Sequence, residues 1–215
     1  MDYDELRKQL VMKLKRDGRI SSDKVEKAFM HVPRELFVPH EQQRYAYLDQ
    51  PLSIENGQTI SATHMVAIMA EALDVHEGQK ILEIGSGSGY HAAIIALMVG
   101  SNGHVYSIER FSNLAKVAKK HLDSAGISNV SIHVGDGSEG LSEYAPYERI
   151  YVTCSAPSAP QPLIDQLMKH GKLLIPVGAM FAELLLFEKH GFELSKKDLG
   201  GCSFVPLVGR YGYDK

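Results

Sequence analysis

Three glycines in one short segment indicate a ligand-binding turn. The segment Glu83-Ile-Gly85-Ser-Gly87-Ser-Gly89 lies between a predicted strand at 80–84 and a predicted helix at 90–99. Glycine permits a tight turn and lets a ligand approach bare main chain at the carboxyl end of a strand. The dinucleotide fingerprint GxGxxG/A requires Gly or Ala at position 90, where this chain has Tyr90. The acid before the first glycine suits a ligand with a positively charged amine, such as S-adenosylmethionine, better than a pyrophosphate.

Two further candidate positions follow the next two predicted strands. Glu109 comes about 20 residues after the glycines, where an acid accepts hydrogen bonds from ribose hydroxyls. Asp136 and Gly137 follow the strand at 130–134 and can bind the amino group and ring edge of adenine. Each site alone has a simpler explanation, either a solvated acid or an Asp-Gly turn. Together, at the ends of three consecutive strands, they predict one adenosine pocket.

A polar loop ahead of the glycines contains candidate residues for the reacting end of the site. The loop runs from Asn56 to Met65 and offers hydroxyls at Thr59 and Ser61 and a titratable ring at His64. From the residues alone, Ser61 or Thr63 serves equally well as the cap of the helix that follows. A serine hydrolase is not indicated, because the GxSxG motif is absent.

The elements around these residues predict an α/β fold. Predicted strands lie at 80–84, 104–108, 130–134, 149–153 and 172–176, and predicted helices at 90–99, 113–125 and 162–169. This alternation predicts a doubly wound, mostly parallel sheet with helices on both faces. Two late strands, at 183–189 and 202–207, are expected to be antiparallel.

The first half of the chain predicts helices rather than strands. Apolar residues recur at helical spacing before Gly18, and Ser22 or Asp23 can cap a second helix that Pro33 ends. Further helices are predicted at 41–47 and 64–73, and the segment 51–61 is predicted as a loop with a turn at 56–57. We therefore expect a single domain, with a helical cap and active-site loop at 1–75 and a cofactor-binding α/β core at 76–215.

Composition excludes several classes of function. There are 23 Lys and Arg residues against 26 Asp and Glu, a net charge of −3, which disfavours a protein that binds nucleic acid through its phosphates. The longest apolar run, at 92–99, is far shorter than the ~20 residues of a membrane helix. The acidic start is unlike a signal peptide, so the expected location is the cytoplasm. Cys154 and Cys202 form no CxxC motif and the ten histidines show no metal-ligand spacing, so no metal site is expected.

A series of motifs along the chain carries a family resemblance. They are VPRELFV at 32–38, GQTISATHMVA at 57–67, LEIGSGSGY at 82–90, GDG at 135–137, APY at 145–147, IPVG at 175–178 and FVPL at 204–207. In this combination the chain resembles the protein-L-isoaspartate O-methyltransferase family over nearly its whole length. The glycine motif is shared by class I methyltransferases in general, whereas the GQTIS and FVPL motifs are specific to this family.

The resemblance implies a fold, a cofactor and a reaction. The fold is the Rossmann-like class I methyltransferase fold, and the cofactor is S-adenosyl-L-methionine, with S-adenosyl-L-homocysteine as product. The reaction is methyl transfer to the α-carboxylate of L-isoaspartyl residues in damaged peptides and proteins, followed by collapse to a succinimide. Ser61 matches the family's functional serine and is expected to hold the substrate carboxylate as the catalytic residue. The expected cofactor-binding residues are Thr59, Ile60, His64, Glu83, Gly85, Ser86, Gly87, Glu109, Asp136 and Gly137.

Two departures from the family pattern carry expectations of their own. Thr63 stands where the family usually has Pro, which is expected to loosen the loop beside the active site. The run Thr153-Cys-Ser-Ala156 replaces a more Ala-rich run and is expected to change packing only. The expected state is a monomer that binds neither nucleic acid nor a membrane. An NAD-dependent dehydrogenase, a nucleic-acid methyltransferase and a non-enzymatic sensor of an adenosine ligand remain the alternatives.

Overall fold

The computed structural model describes residues 1–179, 181–191 and 193–214. The helices are α1 (Tyr3–Arg16), α2 (Asp23–His31), α3 (Thr63–Leu73), α4 (Tyr90–Val99), α5 (Ser112–Ser124) and α6 (Gln161–Asp165). The strands are β1 (Leu52–Ser53), β2 (Thr59–Ile60), β3 (Lys80–Ile84), β4 (His104–Glu109), β5 (Val130–Val134), β6 (Tyr147–Val152), β7 (Leu167–Val177), β8 (Ala182–His190) and β9 (Glu193–Cys202). Within these described ranges, no helix has the length and apolar character needed to span a membrane.

Seven strands form one sheet in the order β5-β4-β3-β6-β7-β8-β9. Strands β3 to β7 pair in parallel, and β8 and β9 pair antiparallel. The chain leaves β3 for β4 on one side and later crosses from β5 to β6 on the other. Such a reversal leaves a crevice at the carboxyl ends of the strands, where open α/β sheets bind ligands. The predicted doubly wound, mostly parallel fold with late antiparallel strands is confirmed.

Alternate residues of β3 divide between two apolar clusters. Ile81 belongs to the cluster that also contains the buried sides of α1 to α4, whereas Leu82 and Ile84 belong to the cluster on the α6 face. This alternation is the period of two expected for a strand covered on both faces. The N-terminal helices lie on the first face, where α2 packs against both α1 and α4. The helical cap and the sheet therefore share one apolar core.

Several predicted boundaries differ from the structure. The helix expected at 162–169 ends at Asp165, and β7 begins two residues later because Leu167 pairs with Tyr147. The strand expected at 202–207 is wrong, since β9 covers 193–202 and is mostly exposed, with charged side chains of the kind that edge strands often carry. The apolar run that suggested a strand there instead makes an isolated bridge at Pro206. The helix expected at 41–47 is a 3-10 helix at 40–45. The loop expected at 51–61 contains the short hairpin β1–β2, with Asn56 in the left-handed region.

A buried carboxyl group lies at the centre of the sheet. Glu83 of β3 is fully buried and stands in register between Ser107 of β4 and Tyr151 of β6. Both hydroxyls donate to it, that of Tyr151 at 2.8 Å from Oε1. The Ser86 hydroxyl continues this chain of hydrogen bonds by contacting Ser107 Oγ at 2.6 Å. Burial raises the pKa of Glu83 to about 8, although the hydroxyls favour the ionised form. The carboxyl group therefore keeps its proton at neutral pH.

Replacing Glu83 by Gln should remove part of the pH dependence of stability. The unfolded side chain loses its proton near pH 4.5 and the folded one near about 8, so the folded state binds the extra proton between these values. The stability of the parent chain should then fall as pH rises through this window, because the unfolded state binds fewer protons there. Melting temperatures of Glu83→Gln and the parent, measured at both ends of the window, test this. The melting temperature of Glu83→Gln should rise relative to that of the parent as the pH rises. A difference in melting temperature that stays constant with pH would contradict the raised pKa of Glu83.

Candidate active site

A cavity of about 220 Å³ opens at the carboxyl ends of β3, β4 and β6. Its walls come from six parts of the chain, at 58–61, 84–88, 108–111, 137, 153–154 and 205–208, with one residue from α3 and two from the start of α4. Most of the predicted site residues line it: Thr59, Ile60, Ser61, Gly85, Ser86, Gly87, Glu109 and Gly137. The cavity thus brings the polar loop together with the ends of three consecutive strands.

The turn after β3 depends on a close contact with β6. Gly85 has a φ of +96°, and a Cβ atom there would lie 2.4 Å from Thr153 Oγ1. The Thr153 hydroxyl donates to the carbonyl oxygens of Ile84 at 3.0 Å and Gly85 at 2.7 Å. The expectation that residues 153–156 alter packing only is therefore wrong, because Thr153 anchors the glycine turn and lines the cavity.

Glu109 joins the glycine turn to the end of β4. Its Oε2 accepts the main-chain N–H of Gly87 at 2.9 Å, and its Oε1 accepts that of Phe111 at 3.0 Å. The side chain is buried and lines the cavity. Each carboxylate oxygen has two lone-pair sites, so Glu109 retains acceptor capacity for the hydroxyls of a ligand.

The structure places Gly137 on the cavity but not the carboxylate of Asp136. A Cβ atom at position 137 would lie 2.4 Å from Ile84 Cγ2, so only glycine lets the main chain pass this close to β3. The Asp136 carboxylate instead accepts from the main chain and hydroxyl of Ser138, at 2.9 and 2.7 Å, and from the main-chain N–H of Arg210 at 2.7 Å. It faces a neighbouring cavity of about 480 Å³, lined by the C-terminal segment and Arg110.

Two other predicted cofactor residues also lie outside the main cavity. Glu83 is enclosed within the sheet and reaches the cavity only through the hydroxyls of Ser107 and Ser86. The His64 ring contacts Asp49, with Nδ1 2.9 Å from Oδ1. The pattern of strands in the sequence predicts which strand carries a residue. It does not predict these contacts, because the side-chain partners are distant in sequence.

Asp49 caps helix α3 from outside the helix. Its Oδ1 accepts the main-chain N–H of His64 at 2.8 Å and the hydroxyl of Thr63 at 2.7 Å. The N-cap residue itself is Ala62, so the prediction that Ser61 or Thr63 caps this helix is wrong. Thr63 is fully buried and its hydroxyl donates to Asp49, and the loosening of the loop relative to the family's Pro stays a prediction. Over the described ranges, the Ser61 hydroxyl has no hydrogen-bond partner, and the residue lines the cavity.

Several residues of the cavity wall were not predicted from the sequence. The segment 205–208 lies beside the end of β6, where the Ser155 N–H donates to Val205 O at 2.8 Å and the Leu207 N–H donates to Ser155 O at 2.7 Å. The FVPL motif was the available signal for this wall. Cys154 and His91 also line the cavity, and burial raises the pKa of the thiol and lowers that of the imidazole to about 3. Both groups are therefore uncharged at neutral pH.

Comparisons with known proteins agree on one family. The family model of Protein-L-isoaspartate(D-aspartate) O-methyltransferase (PCMT) matches residues 5–212. A protein-L-isoaspartate O-methyltransferase of Methanococcus aeolicus is 51% identical over 196 residues, which cover 91% of each chain. Protein-L-isoaspartate O-methyltransferase 2 of Archaeoglobus fulgidus is 50% identical over 214 residues, covering 99% of this chain and 97% of the relative.

Solved structures give the same result. A protein-L-isoaspartate O-methyltransferase structure superposes with a TM-score of 0.86 at 31% identity, covering 96% of this chain and 67% of the other. A second, from Plasmodium falciparum, is described as a beta-aspartate methyltransferase (PCMT) in complex with S-adenosyl-L-homocysteine. Its TM-score is 0.82 at 27% identity, covering 94% of this chain and 98% of that one.

The capping arrangement predicts different effects of two substitutions on stability. Asp49→Ala removes a charged acceptor of several hydrogen bonds at the start of α3 and should lower the free energy of unfolding by about 1–3 kcal/mol. Ser61→Ala removes a hydroxyl without a described partner and should change it by less than about 0.5 kcal/mol. Urea unfolding of both variants beside Asp49→Asn, which keeps one acceptor oxygen, measures the difference. Equal losses for Asp49→Ala and Ser61→Ala would mean that Ser61 stabilises the helix start after all.

Proposed function

The chain belongs to the protein-L-isoaspartate(D-aspartate) O-methyltransferase family, and we propose that it methylates the α-carboxylate of L-isoaspartyl residues in damaged peptides and proteins. The methyl donor is S-adenosyl-L-methionine, and the methyl ester then collapses to a succinimide that hydrolyses partly to normal aspartate. The observation that carries this proposal is the position of Ser61. Its loop forms one wall of a cavity whose other walls include the glycine turn and Glu109.

The residues of the cavity suit the donor. The turn at Gly85, Ser86 and Gly87 presents main chain rather than side chains, and Glu109 offers acceptors for ribose hydroxyls at the end of β4. Gly137 brings its main chain close to Ile84 at the cavity wall, where it can contact a flat ring, and Thr59 and Ile60 line the part of the cavity that the Ser61 loop forms. We propose that these residues hold the donor, whereas Glu83, His64 and Asp136 support it from behind the cavity wall.

The proposed chemistry needs few catalytic groups. When bound, S-adenosyl-L-methionine supplies a methyl group that its sulfonium already activates. The substrate carboxylate is ionised at neutral pH, so no side chain has to remove a proton. Ser61 would donate a hydrogen bond to one carboxylate oxygen and leave the other free to attack in a fixed orientation. Exclusion of water favours the step, because it neutralises two opposite charges.

The remaining expectations concern the setting of the reaction. Isoaspartyl-containing peptides and proteins are the substrate class of the family to which this chain belongs. A cytoplasmic location and the absence of nucleic-acid binding stay predictions from the composition, charge and motifs of the sequence. A monomeric state stays an expectation.

A pair of synthetic peptides tests the proposal directly. The two peptides share one sequence and differ only in whether a single residue is L-isoaspartyl or L-aspartyl. With a labelled methyl donor, the chain should form a base-labile methyl ester on the isoaspartyl peptide alone. Binding of S-adenosyl-L-homocysteine without any methylation would instead favour the sensor alternative, and methylation of both peptides would overturn the assigned specificity.

Glu109 should contribute to donor affinity. A hydrogen bond to a charged acceptor contributes about 1.5–3 kcal/mol, and ~1.4 kcal/mol corresponds to tenfold in affinity. Glu109→Ala should therefore weaken binding of S-adenosyl-L-homocysteine by roughly ten- to a hundredfold. Calorimetry measures this, with Glu109→Gln as a control that retains an acceptor for the Gly87 N–H. A dissociation constant within a factor of two of the parent, in a folded Glu109→Ala, would remove Glu109 from the donor site.

Ser61 should affect turnover far more than donor affinity. Loss of one oriented donor at a preorganised site typically costs two to three decades in rate, so Ser61→Ala should lower turnover of the isoaspartyl peptide by about one to three decades. Affinity for S-adenosyl-L-homocysteine should change little, because Glu109 and the glycine turn are untouched. Ser124→Ala, on the exposed end of α5, serves as the matched control. Normal turnover in Ser61→Ala would exclude Ser61 from the reaction.

A further inference from the structure

An arginine of the N-terminal cap lies directly behind the loop that carries Ser61. Arg34 opens the 3-10 helix Arg34–Phe37 and has no exposed surface. Its Nη2 donates to the carbonyl oxygen of Ser61 at 2.7 Å, and its Nε donates to the carbonyl oxygen of Ala46 at 2.8 Å. Arg34 therefore binds the main chain of the proposed catalytic residue, 27 positions away along the chain.

The same guanidinium group contacts the donor side of the cavity. Its central carbon lies 4.6 Å from the centre of the Tyr90 ring, a cation–π distance. Tyr90 is the first residue of α4, directly after the glycine turn, and it lines the cavity. Arg34 thus lies between the Ser61 loop and the start of α4 and contacts both.

Burial of the Arg34 guanidinium group is unfavourable for folding, and efficient packing alone does not explain why a cation occupies this place. Among the residues that the structure describes, no carboxylate forms an ion pair with Arg34, and its Nη1 has no hydrogen-bond partner. A buried charge without an ionic partner destabilises the folded state. An apolar side chain of similar volume would fill the same space at a lower cost in free energy. What an apolar side chain cannot do is donate to two carbonyl groups at fixed angles, which the planar guanidinium does.

We propose that Arg34 is a positioning residue for methyl transfer, which holds the Ser61 main chain in a fixed place relative to Tyr90 and the donor site. This rests on the proposed role of Ser61. A hydroxyl can orient a carboxylate only if its own backbone is held, and small displacements of positioning groups reduce rates strongly. Arg34 acts through Ser61, so its loss should reduce catalytic efficiency toward the peptide and leave donor affinity nearly unchanged.

Arg149 offers a matched control within the same chain. It is also buried and also donates to main-chain carbonyl groups, those of Leu73 at 2.6 Å and Asp74 at 3.1 Å. These contacts are at the far end of α3 from Ser61, and Arg149 does not line the main cavity. Arg149→Lys therefore reproduces the loss of a buried guanidinium without touching the Ser61 loop.

The test compares Arg34→Lys, Arg34→Met and Arg149→Lys in the full chain. Lys keeps the positive charge but cannot donate to both carbonyl groups in the same geometry, and Met removes the charge at similar length. Each variant is assayed at the same interval below its own melting temperature, for kcat and KM with the isoaspartyl peptide and for the Kd of S-adenosyl-L-homocysteine. We expect Arg34→Lys to lower kcat/KM by about tenfold or more and the affinity for S-adenosyl-L-homocysteine by less than about threefold. Arg149→Lys should leave both within about threefold of the parent.

A double variant separates positioning from general destabilisation. If Arg34 acts through Ser61, then Arg34→Lys should cost much less in kcat/KM when Ser61 is already Ala, because residues that act as one unit are not additive. Full additivity, or an effect of Arg34→Lys no larger than that of Arg149→Lys, would overturn the proposal. A parent chain without methylation of the peptide would refute the proposed function itself, and a fully active Ser61→Ala would refute the role of Ser61. If Arg34→Met does not fold, the results for Arg34→Lys alone decide whether Arg34 positions the Ser61 main chain.

Discussion

The geometry of the site depends on the contact between the main chain of Gly85 and the hydroxyl of Thr153. There is no room for a side chain at Gly85, and the hydroxyl satisfies the carbonyl groups at the end of β3. Because β3 and β6 are neighbours in the sheet, this contact fixes where the glycine turn leaves the sheet. Glu109 then holds the far side of the same turn through Gly87. These two contacts, one from each side of β3, hold both ends of the glycine turn that lines the cavity.

The parts of the fold that follow local patterns were predictable from the sequence. Strands β3 and β5 and helix α4 have the expected bounds, because each is a short segment of apolar or alternating residues between clear turn residues. The misplaced β9 shows the limit of this approach, since an exposed edge strand carries charged residues and no apolar alternation. The cap of α3 shows another limit. Helix-cap propensities assign the cap to a polar residue next to the start of the helix. Here the capping carboxylate belongs to Asp49, which lies 15 positions before His64 in the sequence.

The candidate site was predictable as a set of loops but not as a set of contacts. Glycine spacing and the acid at the end of β4 indicated which strand ends meet, and the structure brings those ends together. No local pattern shows that Asp136 accepts from Arg210, or that Arg34 donates to Ser61. Such partners lie tens of residues apart, and their pairing is a result of the tertiary fold. Arg34 lies within the VPRELFV motif, but the motif gave no indication that its side chain contacts the Ser61 loop.

The C-terminal segment completes the cavity but not the sheet. Residues 205–208 form one wall of the cavity, and the main-chain N–H groups of Arg210 and Tyr211 bond Asp136 and Ser138 beside Gly137. In chain order this wall comes after β9, the last strand that the structure describes. The strand pairings from β3 to β9 therefore use no residue of the wall, whereas the cavity does. Removal of residues 203–214 would leave these pairings in place and take away one side of the cavity, so an intact sheet does not by itself give an enclosed site.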